Sequence, residues 1–171
     1  MKGRLLTSLL AMVVLSGLQA QETPVVPRLV VGITIDQLRM DYVEAFSALY
    51  GERGFKRLLK EGRTYQHLEY DFVDVDKSSS VASIYSGTTP YNHGIVGDMW
   101  LDRNTLRMVN CVDDANFMGV YTSESTSPVR LKVSNLVDEL MVATQGMAET
   151  YSIAPTREMA VLSAGHASKG A

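Results

Sequence analysis

Residues 74–98 read DVDKSSSVASIYSGTTPYNHGIVGD. An acidic residue, a cluster of hydroxyls, a run of small residues and a Gly-Thr-Thr-Pro break follow one another. This is the order of a turn that presents a hydroxyl at a helix N-terminus, where backbone amides stabilise an anion. Ser78, Ser79 and Ser80 supply the hydroxyls, and Lys77 stands directly before them. Plain N-capping accounts for the serines equally well. Lys77 reads either as a solvated loop lysine or as a cation neutralising nearby carboxylates.

A second chemical candidate is Asp36. It ends the apolar run LVVGITI at 29–35. A carboxylate just past an apolar strand is costly to bury, and a cation would offset that cost. The alternative is an N-cap for the following helix. The three histidines, His67, His93 and His166, lack a helical i, i+4 partner of the kind that builds a metal pair. Cys111 is the single cysteine, so no internal disulfide forms; with no cationic neighbour in sequence it reads as a small buried hydrophobe.

These groups need a scaffold, and the chain alternates strand and helix patterns. The run 29–35 suits a strand buried on both faces of a parallel sheet. Helical spacing follows at 41–50, then in GFKRLLKEG, with Gly62 as its stop. Residues 64–73 read as a strand and 79–85 as a helix of small residues, broken at Gly87. The segment 100–112 reads as a hairpin turning near Asn104. Leu136, Leu140 and Ala143 mark an amphipathic helix with Ser134 as its candidate cap. Residues 151–154 and 160–162 are short strand candidates. The pattern predicts an α/β, three-layer sandwich with a mainly parallel central sheet and a β-hairpin insertion.

Composition sets outer bounds. The chain has 171 residues, 46% hydrophobic and 20% charged, with a net charge of −3. That balance gives no reason to expect nucleic acid or an anionic membrane as partner. Residues 1–20 combine a basic start, an apolar stretch too short for a comfortable membrane span, and Ala20 before a polar segment. This is the pattern of a secretory signal peptide. Residues 21–171 then form the mature domain, exported to the periplasm or beyond, with no membrane span after cleavage. The ending SAGHASKGA carries turn residues and no closing element, which reads as a truncated chain.

Taken as a set, VVGITIDQLRMDY, GFKRLLKEG and SSVASIYSGTTPYNHGIVGDMW resemble the alkaline phosphatase superfamily. The branch is that of the secreted phosphate-irrepressible phosphatases of Bacteroidetes, related to nucleotide pyrophosphatase/phosphodiesterases. The resemblance covers residues 28–171 as the N-terminal portion of a longer domain. It implies an alkaline-phosphatase-like fold and hydrolysis of phosphate esters at a two-zinc site. There a Thr or Ser attacks phosphorus and two metals about 4 Å apart clamp the oxygens.

Carried over position by position, Asp36 matches the first metal-ligand aspartate. The remaining ligands belong to parts of the family domain that follow this sequence. The nucleophile falls on Lys77, the phosphate-contacting asparagine on Asp98, and a substrate-gripping Lys-x-Arg pair on Thr156 and Glu158. Lysine is a cation at neutral pH and a poor replacement for a hydroxyl nucleophile. Asp98 and Glu158 bring negative charge to positions that meet a phosphate dianion. The reading is therefore an inactive fragment or pseudoenzyme of a hydrolase lineage. Two alternatives stay open: an active phosphomonoesterase or phosphodiesterase using Ser78, or a non-catalytic binding protein on the same scaffold. The carry-over also requires Asp36, Lys77 and Asp98 to converge.

Overall fold

The computed structural model describes residues 27–73 and 76–171. Contacts divide the chain into two units, Met1–Val31 and Gly32–Ala171. In the first, the described residues 27–31 run without helix or strand. The signal-peptide segment 1–20 lies outside the described residues. The helices and strands all belong to the second unit, among the described residues.

Helix α1 spans Met40–Ala45 and passes into a 3₁₀ turn at Ser47–Leu49. Helix α2 spans Phe55–Glu61 and stops at Gly62, as the sequence predicts. Helix α3 spans Lys77–Ser86 and ends at Gly87, whose φ of 68° lies in the left-handed region that glycine enters without steric cost. A short helix α4, Pro90–His93, begins on a proline, which is tolerated at a first helical position. Strands β1 (Met99–Asp102) and β2 (Arg107–Asn110) form the expected hairpin, antiparallel with Trp100 opposite Val109. Helices α5 (Leu136–Ala143) and α6 (Arg157–Ala164) complete the elements.

Several local readings change. Residues 160–162 lie inside α6, not in a strand. Short apolar runs have no decisive period, and the cap at Thr156 together with packing against α3 selects helix here. Ser134 is not the cap of α5; Asn135 is, with its side chain accepting from the N–H groups of Val137 and Asp138. Residues 32–35 and 64–73 carry neither helix nor strand and belong to no ladder among the described residues. A strand buried on both faces needs neighbours on both edges, and Ile33 and Ile35 are exposed here. Among the described residues, parallel pairing occurs once, as a single bridge between Tyr151 and Gly170 on either side of α6.

The core lies where α3 meets α6. Val81 and Ala82 pack with Ile95, Cys111, Val112, Leu131, Val161 and Leu162, and Tyr85, Trp100, Val133 and Met159 close its margin. Small residues on α3 let the two helices approach. Asn135, buried, locks α5 to the end of α6 by donating its amide to the carbonyls of Leu162 and Ser163. Gly165 follows with a φ of 73°, and a Cβ there would lie 2.4 Å from the Asn135 oxygen, so both backbone shape and space require glycine. Asp138 then accepts from the N–H groups of His166 and Ala167, while the His166 ring bridges Asp138 and the Leu131 carbonyl. His166 thus serves as a turn residue.

His93 is buried in the same core. Its Nδ1 accepts from the N–H of Ile95 at 3.1 Å, so Nε2 carries the proton and donates to Ser83 Oγ at 3.0 Å. Burial pushes its pKa below the usual 6.5. The folded state therefore binds this proton less well than the unfolded chain. The stability that neutral His93 provides is complete above pH 6.5 and is lost as pH falls from there through the lowered folded pKa. Denaturant midpoints should fall between pH 8 and pH 5. His93→Gln, which keeps one donor and one acceptor, should flatten that dependence.

Candidate functional site at the start of helix α3

The site is built on a helix cap. Asp76 caps α3: its Oδ1 accepts from the N–H of Ser79 at 2.8 Å, and Ser79 Oγ in turn accepts from the N–H of Asp76 at 3.0 Å. This reciprocal arrangement satisfies two amides that a helix start leaves unpaired. The other oxygen, Oδ2, accepts from the N–H of Asp98 at 2.7 Å. Gly97 leaves the room for this contact, since a Cβ there would stand 3.0 Å from the same oxygen. Asp76 therefore fixes the approach of the 97–98 loop to the helix.

That approach brings Asp98 onto Ser78. The Ser78 hydroxyl donates to Asp98 Oδ1 at 2.5 Å, and Ser78 is fully buried. Behind it, Cys111 Sγ lies 3.5 Å from Ser78 Oγ, held by the bond from its own N–H to the Asp98 carbonyl at 2.9 Å. Burial pushes the Cys111 thiol up to about 11, and the charges of Glu158, Asp98 and Asp76 add to the rise, against the opposing bond from Ser78.

Lys77 occupies the first helical position and has a different partner. It is exposed, and its Nζ lies 3.7 Å from Asp36 Oδ2. The structure thus brings together Asp36 with Lys77 and Ser78 with Asp98. Lys77 and Ser78 are adjacent, so the two contacts meet at one helix end.

Thr156 and Glu158 behave differently from each other. Thr156 caps α6, accepting from the N–H of Met159 at 3.4 Å, and among the described residues its side chain shares no hydrogen bond with α3. Glu158 does reach the neighbourhood through Asn110, whose amide donates to its carboxylate at 2.7 Å. Burial works to raise the Glu158 pKa, but hydrogen bonds from its own backbone, Asn110 and Arg157 outweigh it and hold the group below the usual range. Arg157, between Thr156 and Glu158 in sequence, gathers Asp113 at 2.9 Å, Glu124 at 2.5 Å and Glu158 at 3.1 Å. Each of its three nitrogens therefore faces a carboxylate.

Sequence reasoning passed over Asp76, Asn110 and Arg157. Asp76 had a readable signal, an aspartate three residues before Ser79 at a helix start. Asn110 and Arg157 had none, because their partners are distant in sequence. Cys111 is buried as expected, but it also touches the site.

Hydroxyls and carboxylates at the capped start of a helix agree with the α/β phosphoester hydrolase class that the sequence resemblance implies. Comparison with known proteins bears out that class. Residues 30–161 match the family model of type I phosphodiesterase / nucleotide pyrophosphatase, and the chain belongs to this family. It is 37% identical to alkaline phosphatase PhoV of Synechococcus elongatus over 85% of its own length and 27% of that protein. It is 35% identical to alkaline phosphatase PafA of Elizabethkingia meningoseptica, over 95% of its length and 31% of PafA. It superimposes on the crystal structure of wild-type PafA with a TM-score of 0.80 and 32% identity, covering 84% of this chain and 28% of that one. The α/β, alkaline-phosphatase-like fold expected from the sequence is thereby established. The chain spans between 27% and 31% of the length of these two curated relatives.

The resemblance also implied zinc, and the side chains test that. Among the described residues no group of three or more His, Cys, Asp or Glu is placed to hold a metal ion. Asp36, the one matched ligand, faces an ammonium. Asp76 uses both oxygens and Asp98 one oxygen in hydrogen bonds within the protein. Of the ligands the resemblance calls for, Asp36 is the one this stretch carries, and its carboxylate pairs with Lys77.

The site predicts a silent thiol. A free cysteine has a pKa of about 8.5, so at pH 8 a thiol titrating near 11 holds more than about a hundredfold less thiolate, and burial further slows its reaction with an aromatic disulfide. Native Cys111 should resist labelling and react at the ordinary rate in denaturant.

Proposed function

We propose that this chain is an exported, catalytically silent relative of the phosphoester hydrolases, keeping the scaffold of the cleft without its chemistry. The observation that carries this reading is the fate of the two candidate nucleophiles. The exposed first-turn position holds Lys77, and the nearest hydroxyl, on Ser78, is buried and donated to Asp98 at 2.5 Å.

Each polar group then works against phosphate transfer. An ammonium at Lys77 has no lone pair to offer phosphorus. Ser78 has no open path to a substrate, and its hydrogen is turned towards a carboxylate. Asp98 and Glu158 present negative charge towards a dianion. At 4 Å and an effective dielectric of about 20, one such pair costs about 4 kcal/mol. Family donors matched to these positions would stabilise the transition state, where a single donor contributes about 10²–10³ in rate. Thr156 caps α6 and supplies no cation.

A second reading has one observation in its favour. Asp98 accepts the Ser78 proton in a short bond, so Ser78 with Asp98 as its orienting partner could form a hydroxyl nucleophile. Carboxylates are weak bases for a serine, and the complete burial of Ser78 weighs against it.

Hydrolysis of an aryl phosphate and an aryl phosphodiester, with zinc present, distinguishes the two. Turnover should not exceed the buffer background. Zinc-dependent turnover that Ser78→Ala abolishes would establish the active-serine reading instead.

Export is part of the proposal. It rests on the signal pattern of residues 1–20, and no described helix is long and apolar enough to cross a membrane. Mass spectrometry of the protein recovered from the periplasm or medium of its host should show a chain starting near Gln21. An intact Met1 on exported protein would refute cleavage.

A further inference from the structure

Asp36 is the position at which the family resemblance calls for a metal, and this chain supplies it with a different cation. The Lys77 stem leaves the first turn of α3 and carries its ammonium to 3.7 Å from Asp36 Oδ2. Among the described residues, the other carboxylates at this helix end, Asp76 and Asp98, are engaged elsewhere. Asp76 is held by the N–H groups of Ser79 and Asp98, and Asp98 by the Ser78 hydroxyl. Among the described residues, Asp36 is the carboxylate that Lys77 pairs with.

We infer that Lys77 is the resident cation of this site: its ammonium neutralises Asp36 in place of a metal and holds the Asp36 loop against the start of α3 without one. The inference rests on the silent-cleft reading and adds that the site is indifferent to zinc. An ammonium supplies one positive charge and three donors, enough to balance one carboxylate. It supplies no empty orbital to polarise a phosphoryl oxygen or to generate an alkoxide. A zinc ion brought to Asp36 would meet a like charge a few ångströms away. Both side chains are about half exposed, so solvent screens the pair and its effect is a modest coupling.

The experiment is a double-mutant cycle on the full chain, read by urea unfolding at low ionic strength with and without zinc chloride. Wild type, Lys77→Met, Asp36→Asn, the double variant and Lys77→Arg are compared. Each single loss should lower the folding constant about two- to fivefold. The double variant should be no less stable than either single one, Lys77→Arg should restore stability, and zinc should leave the wild-type midpoint unchanged. Additive losses would overturn the inference. So would a zinc-induced rise in the wild-type midpoint that Asp36→Asn removes. If Lys77→Met does not fold, calorimetric titration of zinc into the wild type and Asp36→Asn decides: heat of binding seen only with Asp36 present overturns the inference, and no binding to either supports it. Hydrolysis of an aryl phosphate would sink the silent-cleft reading by itself, whereas the coupling between positions 36 and 77 is measured independently of turnover.

Discussion

The carboxylate of Asp76 is the constraint on which the site depends. One oxygen closes the cap of α3 and the other holds the backbone of Asp98. With the loop pinned in that way, the Asp98 side chain has Ser78 directly before it, and the Ser78 hydroxyl has an acceptor it reaches without leaving the core. Helix starts attract anions because their amides are unpaired and the helix dipole points its positive end outward. In this chain an internal carboxylate answers that attraction. The contacts made by Lys77, Ser78 and Cys111 follow from the same fixed helix end.

Charge balance governs the other side of the core as well. Six carboxylates surround the two facing surfaces: Asp36, Asp76 and Asp98 near α3, and Asp113, Glu124 and Glu158 around α6. Among the described residues cations answer four of them, while Asp76 and Asp98 are met by hydrogen bonds. Lys77 pairs with Asp36, and Arg157 collects the three near α6. Arg157 stands one residue away from the positions where the resemblance places substrate-gripping cations. On a helix, a one-residue shift turns a side chain by about 100°. A guanidinium so displaced serves the fold by joining the 113 and 124 loops to α6. Glu158 is left to Asn110 and to that same guanidinium, and its field reaches Cys111.

Much of the scaffold was legible in the residues. The hairpin at 99–110 shows its alternation and polar tip, Gly62 and Gly87 mark helix ends, and the small-residue run of α3 fits a helix packed closely on a neighbour. The fold class followed from the strand–helix alternation and from motifs whose value lay in occurring together. Short apolar runs were harder. Residues 160–162 carry no period that separates strand from helix, and the cap at Thr156 decided the matter. Residues 32–35 read as a buried strand because they are β-branched and continuous, yet pairing is a property of neighbours, and none is hydrogen-bonded to them among the described residues.

Sequence by itself determined the kinds of chemistry available: a lysine where a hydroxyl was expected, a serine beside it, acids at positions the resemblance matches to phosphate contacts, and an aspartate after an apolar run. Those are matters of residue identity and local order. Only the tertiary structure decided how the groups are used. Whether Ser78 faces solvent or the core depends on the side of α3 that packs against α6. Whether Asp98 meets Lys77 or Ser78 depends on a loop held by Asp76. Hydrogen bonds act over about 3 Å, while Ser78 and Asp98, or Asn110 and Glu158, are separated by 20 and 48 residues of chain. Contacts of that range are fixed by packing, and packing is set by the whole core at once.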